Sequence, residues 1–235
     1  MLKDILVDFH SHVLPDLDDG AANIDEALLM LRSSYRKGVR YIVATSHYYP
    51  FDETPESFLH RRKVSYESLK ERLYGIEHPE IILGAEVLYF DGICNAKEIR
   101  KLAIANTDYI IIEMSLSKWD ARTVQNVINI KANHNLNVII AHFERYIKFQ
   151  SRSAINALID ADIIFQFNAN FIIRHTNSAV KYLESGIMSL IGSDCHNMTD
   201  RRPNTADALK CLEGKISPEI IDGINSMSRE ILSIS

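Results

Sequence analysis

The stretch ILVDFHSHVLPDLDDG, residues 5–20, decides how the rest of the chain is read. A short apolar run ends in DFHSH, and an acidic loop follows it. Alternate residues of a strand share a face, so His10 and His12 project two imidazoles to the same side, where they can share one metal ion. The pattern predicts a strand over residues 4–8 and a loop in which Asp18 and Asp19 fold back over the histidines.

The arrangement recurs along the chain. Strands are expected at 4–8, 41–44, 81–83, 109–112, 138–141, 163–167 and 189–191. Helices are expected from Asn23 or Asp25 to Gly38, at 55–74, 96–103, 121–133, 153–159, 178–184 and 205–212, and after Pro218. Strands alternating with amphipathic helices imply a parallel α/β fold. Each strand ends on polar residues: DFHSH (8–12), ATSH (44–47), GAE (84–86), IIE (111–113), AHFER (141–145), QFN (166–168) and GSDCH (192–196). In a parallel barrel such ends converge at one mouth. Of the nine histidines, His10, His12, His47, His142 and His196 fall there, while His60, His78, His134 and His175 do not. Asp194 and His196 repeat the spacing of the first pair, and Glu86 and Glu113 can bridge ions. Imidazole and carboxylate donors without thiolate suit Zn, Mn or Fe in a hydrolytic site.

Composition bounds this reading. A chain of 235 residues with 46% hydrophobic and 24% charged residues is expected to form one domain, 1–235, with a substantial core, and disorder or a fibrous repeat is excluded. A net charge of −5 provides no basic field for general nucleic-acid binding. Three scattered cysteines, Cys94, Cys195 and Cys211, make no disulfide framework and fit a reducing cytoplasm. No apolar stretch, the N-terminal run included, is long enough to span a bilayer.

The strings DFHSHVLPDLDDG, ATSHYYP, GAEVLYF, AHFERY and GSDCHN, in this order over almost the whole chain, resemble the polymerase-and-histidinol-phosphatase superfamily. The DDG after the histidine pair and the H-x-E-R-Y string are similar to its bacterial tyrosine-phosphatase branch, associated with capsular and exopolysaccharide synthesis. The resemblance implies a distorted (β/α)7 TIM-like barrel holding three divalent ions, manganese first, with iron or zinc as alternatives. It implies the ligands His10, His12, Asp19, His47, Glu86, Glu113, His142, Asp194 and His196, with Asp19 preferred over Asp18. It also implies a phosphotyrosine protein as partner, a tyrosine kinase of polysaccharide export being the expected one, and leaves an oligomer open. Ser46 and Phe143 stand where relatives usually have proline and Asp16 where glycine is usual, so loop shape is where the chain departs.

Three divalent ions against the four carboxylates Asp19, Glu86, Glu113 and Asp194 leave a net charge of about +2, which attracts a phosphate dianion. A water activated by the ions is expected to attack phosphorus in line, with Arg145 and then Arg201 on the phosphate oxygens. The string Cys195-x5-Arg201 formally matches a cysteine-phosphatase signature. Its intervening residues contain no glycine and include Asp200, which would repel the ligand, so thiolate chemistry is rejected. A metal-dependent amidohydrolase also starts with H-x-H but generally needs a mid-barrel lysine or equivalent, where this chain has Glu86 and Glu113. A regulatory module would have no reason to keep the full ligand set. Within the superfamily, histidinol-phosphate phosphatase and 3′-exonuclease are the alternatives. Tyr48, Tyr49, Phe51, Phe143, Tyr146 and Phe149 are the candidates to receive a phenyl ring.

Overall fold

The computed structural model describes residues 6–234. Among them the strands are β1 (Leu6–Ser11), β2 (Val39–Ala44), β3 (His47–Tyr48), β4 (Glu80–Leu83), β5 (Glu86–Leu88), β6 (Tyr109–Glu113), β7 (Asn137–Ile140), β8 (Ile164–Asn168) and β9 (Leu190–Gly192). They form two ladders, β1-β2-β4 and β3-β5-β6-β7-β8-β9, and every pairing is parallel. β2 and β3 are halves of one strand interrupted at residues 45 and 46, and β4 and β5 are halves of another interrupted at 84 and 85. Bonds from Thr45 N–H to the Ser11 carbonyl and from Gly84 N–H to the Ala44 carbonyl, both 2.8 Å, carry the pairing across the gaps. The sheet closes on itself, because Asp194 N–H donates to the His10 carbonyl at 2.8 Å and His12 N–H to the Cys195 carbonyl at 2.9 Å. Counted this way, the described residues make a distorted seven-stranded barrel.

The helices are α1 (Ile24–Arg36), α2 (Pro55–Arg72), α3 (Ala121–His134), α4 (Arg152–Asp160), α5 (Ala169–Arg174), α6 (Thr176–Glu184), α7 (Thr205–Leu212) and α8 (Pro218–Leu232). Their ends carry the expected signals. Asn23 Oδ1 accepts the Glu26 N–H to open α1, and Gly38 turns the chain away at φ +101°. Strand runs such as 110–112 and 138–140 are apolar on both faces because both faces are buried. Ile111 and Ile139 join an inner cluster with Val7, Phe9, Val43, Leu190 and Ile231 of α8, whereas Ile110, Ile112, Val138 and Ile140 pack outward under the helices.

Two expectations shift. Residues 4 and 5 of the first expected strand lie outside the described residues, and the strand runs on to Ser11. The expected helix at 96–103 is instead a pair of 3-10 turns, Ile93–Asn95 and Ile99–Leu102. Ile99 and Leu102 are both buried and three apart, a spacing that a 3-10 turn places on one side.

Candidate metal centre

The loop after β1 folds back as its acidic residues foreshadow. Ala21 N–H donates to the His12 carbonyl at 3.0 Å and Asp16 N–H to the Ala21 carbonyl at 2.9 Å. Gly20 lies against His12 so closely that a Cβ there would run into the His12 carbonyl and side chain. Asp16 sits in the left-handed region at φ +53°, which accounts for a glycine preference at this place and which aspartate tolerates better than most residues. The turn separates the roles of two adjacent aspartates. The Asp18 carboxylate accepts His12 Nδ1–H at 2.8 Å, His47 N–H at 2.9 Å and Gly20 N–H at 2.9 Å, while Asp19 Oδ1 faces His196 Nε2 at 3.2 Å and His47 Nε2 at 3.5 Å.

All nine sequence-derived ligand candidates meet at the mouth of the barrel. Glu86 is the centre: its Oε1 lies 2.7 Å from His142 Nε2, and its Oε2 lies 3.1 Å from His10 Nε2, 3.3 Å from His12 Nε2 and 3.2 Å from His47 Nδ1. Glu113 is 3.7 Å from both His47 Nδ1 and His142 Nε2. Asp194 Oδ1 is 3.7 Å from His10, 3.6 Å from His12 and 3.6 Å from His196. Three overlapping groups can each hold a cation: His12, Asp19, His47 and His196; His10, His12 and Glu86; His47, Glu86 and Glu113. Two donors about 2.1 Å from one ion at 90–109° are themselves about 3.0–3.4 Å apart, and the separations here, 2.7–3.7 Å, bracket that spacing.

The donor chemistry independently fits a metal. His10 Nδ1 lies 3.1 Å from Gln166 Oε1, an oxygen that also accepts the His142 N–H, and His196 Nδ1 lies 3.0 Å from the Asp194 carbonyl. With Asp18 behind His12, three imidazoles thus turn Nδ1 outward to an oxygen and Nε2 into the cluster, the orientation of metal-ligating histidines. His10 and His12 Nε2 are 3.2 Å apart, close enough for one cation to be shared by both in place of a proton. Buried His47 Nδ1 and His196 Nε2 have no hydrogen-bond partner, the first beside Glu86 and Glu113 and the second beside Asp19. Backbone strain marks the site as well, since His142 and Asp194 hold φ values of +34° and +52°.

The polar QFN end of β8 carries no metal-binding pattern in the sequence, yet it supports the ligands. Gln166 Nε2 donates to Asn168 Oδ1 at 3.1 Å, and Asn168 Nδ2 donates to Asp194 Oδ2 at 2.7 Å. One amide chain therefore orients His10, His142 and Asp194 together.

Burial pushes imidazoles down and carboxyls up, and charges then oppose or reinforce it. Against its desolvation, Glu86 is held well below the usual carboxylate range by His10 and His142. Glu113, desolvated and facing the charge of Glu86, is pushed up to about 7. His12 is raised to about 10 because Asp18 and Glu86 overcome its desolvation. A divalent ion held by His12 and Glu113 would have to displace protons from both.

Both expected arginines reach this centre: Arg145 Nη2 donates to Asp194 Oδ2 at 2.5 Å and Arg201 Nη2 to Asp194 Oδ1 at 2.8 Å. Cys195 does not. Its side chain is buried in the outer core with Val13, Leu14 and Ala44, and burial drives its thiol pKa upward, the reverse of what a nucleophile needs. The six aromatic candidates divide by burial. Tyr48, Phe143 and Tyr146 are buried, whereas Tyr49, Phe51 and Phe149 are exposed, and Tyr49 stacks on His47 with centroids 5.1 Å apart.

A family model described as "Capsular polysaccharide synthesis, CpsB/CapC" matches residues 6–232. The chain is 29% identical over 223 residues to the tyrosine-protein phosphatase CpsB of Streptococcus agalactiae serotype III, covering 88% of this chain and 89% of that protein. It is 25% identical over 225 residues to the tyrosine-protein phosphatase YwqE of Bacillus subtilis, covering 92% and 87%. Among solved structures it is similar to one described under YwqE of Bacillus subtilis and CpsB of Streptococcus pneumoniae as metal-dependent tyrosine phosphatases, with a TM-score of 0.83, 22% identity and coverage of 98% and 96%. A phosphotriesterase homology protein of Escherichia coli with phosphate in its active site shares the fold more distantly, with a TM-score of 0.53, 11% identity and coverage of 97% and 99%.

Proposed function

Because the chain belongs to the capsular polysaccharide synthesis CpsB/CapC family, we propose that it is a metal-dependent protein-tyrosine phosphatase serving capsule or exopolysaccharide synthesis. His10, His12, Asp19, His47, Glu86, Glu113, His142, Asp194 and His196 would hold three divalent ions, with manganese as the first candidate. Bound ions supply a water of lowered pKa and positive charge for the phosphate. The observation that carries the reading is two guanidiniums, Arg145 and Arg201, meeting on one carboxylate at the edge of a nine-residue donor cluster. Their forks can pass from Asp194 to the non-bridging oxygens of a phosphate, a geometry suited to Arg. Asp18, Gln166 and Asn168 orient ligands and take no part in the chemistry.

Exposed Tyr49, Phe51 and Phe149 would receive the aryl ring and the peptide around it. A phenol of pKa near 10 also leaves more readily than an alkanol. The physiological substrate in this proposal is a tyrosine kinase of polysaccharide export, met in the cytoplasm, where three free cysteines are at home. Among the described residues no helix is long and apolar enough to cross a membrane.

Comparing a phosphotyrosine peptide, a phosphoserine peptide and histidinol phosphate at equal manganese loading tests this. The phosphotyrosine peptide should lead in kcat/KM by at least tenfold, about 1.4 kcal/mol, and chelation should abolish turnover. Preference for histidinol phosphate would move the protein to small-molecule metabolism, and activity that survives chelation would remove the metal from the mechanism.

A further inference from the structure

Helix α2 is mostly polar, and three of its side chains end on backbone carbonyls of segments that lead into the metal centre. Ser65 Oγ donates to the Pro15 carbonyl at 2.6 Å, Arg62 Nη1 to the Gly84 carbonyl at 2.5 Å, and Arg61 Nη2 to the Leu17 carbonyl. Leu17 directly precedes Asp18 and Asp19, and Gly84 lies two residues before Glu86. Arg61 does more, because its Nη1 also donates to Glu53 Oε1 at 2.6 Å. Glu53 belongs to the loop that runs from His47 to α2, and its carbonyl accepts the Tyr48 hydroxyl at 3.2 Å. One guanidinium therefore ties the Asp18–Asp19 loop to the segment carrying His47.

We propose that Arg61 is a positioning residue that sets divalent-cation affinity at the outer group of His12, Asp19, His47 and His196, an inference that rests on the metallophosphatase reading above. Asp19 needs such support. Its side chain is 64% exposed, and its neighbours in the cluster are two imidazoles and Arg201, the last at 3.8 Å. What places the Asp19 carboxylate is the backbone of residues 13–22, and the side-chain tethers holding that backbone from outside are Ser65 at Pro15, Arg61 at Leu17 and Glu26, whose Oε2 accepts the Ala22 N–H at 3.0 Å. The arginine of the ion pair with Glu53 is half-exposed, which limits what the pair adds to stability. Supports one step behind the ligands nonetheless commonly govern metal affinity by 10–100-fold.

The test is titration of the metal-free full chain with Mn2+, counting free ion by its paramagnetic resonance signal, for the wild type and for Arg61→Met, Arg61→Lys and Asp19→Asn. Arg61→Met should weaken one class of site about tenfold and leave the others within twofold. Arg61→Lys should recover part of that loss. Arg61→Met combined with Asp19→Asn should be no weaker at that class than Asp19→Asn alone, since both act on one ligand. If Arg61→Met does not fold, Glu53→Gln cuts the tether from its other end and should weaken the same class by a smaller factor. Wild-type affinity in Arg61→Met with a lowered Tm, or equal weakening of every class, overturns the proposal. A wild-type chain that binds no divalent ion fails at the metallophosphatase reading itself, a result distinguishable from failure of the Arg61 variants alone.

Discussion

Inside the lower barrel, Ile111, Ile139 and Leu190 join an apolar cluster, while two to four residues further along the chain, at or just past the ends of the same strands, Glu113, His142 and Asp194 converge on a cluster of charge. The lower layer removes apolar surface from water, at about 25 cal/mol per Å², and supplies stability. The upper layer gathers buried ionisable groups whose desolvation opposes folding, and its arrangement makes chemical sense when cations join it. The closed sheet is thus held from below, and that support lets its mouth keep an arrangement that would not assemble by itself. Asp8 joins the two layers, since its buried carboxylate accepts the Ser193 N–H at 2.7 Å and pins β1 to the segment after β9.

The sharpest way to break this division is at its centre. Glu86→Ala removes the carboxylate that four imidazoles share, so at least a thousandfold of kcat/KM, about 4 kcal/mol, should disappear together with bound metal as read by elemental analysis. Retention of full metal content by that variant would contradict the assignment of Glu86 as the hub.

Arg145→Ala touches the same carboxylate network without offering a cation donor. It should keep metal content and Tm while losing about 2–4 kcal/mol of transition-state stabilisation, measured as kcat/KM on a phosphotyrosine peptide. Loss of metal would show that the guanidinium builds the site.

How much of this was legible in the sequence depends on whether the signal was local. The seven strand ends were visible because each closes an apolar run with a side chain that can bind metal or hydrogen-bond, and the two H-x-H and D-x-H pairs need only the two-residue period of a strand. The continuation of two strands past their interruptions was not visible, because β3 and β5 are two and three residues long and exist through pairing with each other and with β6. Gln166 and Asn168 looked polar, yet their partners follow from the register that sets Gln166 beside Leu190 and Asn168 beside Gly192. Asp18 and Asp19 are chemically identical neighbours, and only the turn at Gly20 sends one behind His12 and the other into the open cluster.

Acid should weaken the upper layer while leaving the lower one alone. With Glu113 pushed up to about 7 and His12 to about 10, both groups hold protons below neutrality that a cation must displace. Mn2+ affinity should therefore fall as pH drops from 8 to 6, by about tenfold per pH unit for each proton released, and rise again on return. Calorimetry in buffers of different ionisation enthalpy counts those protons; binding with no proton exchange at pH 7 would mean that neither group is a ligand.

The smallest effect is expected at the residue that lies between the two kinds of environment. Cys195 is flanked by Asp194 and His196, whose side chains face the cluster, yet its own side chain turns to the outer core. Strand-like alternation, continued past β9 by the Ser11–Cys195 bridge, is what separates a thiol from the ligands on either side of it. Cys195→Ser puts a hydroxyl among Val13, Leu14 and Ala44, where leaving it without a full set of partners should lower stability by about 1–3 kcal/mol in urea unfolding. Turnover by the folded fraction should stay within about twofold, because the thiol touches neither phosphate nor ligand atoms. An inactive Cys195→Ser protein with normal stability and normal metal content would transfer the chemistry to sulfur and dissolve the separation between the layers.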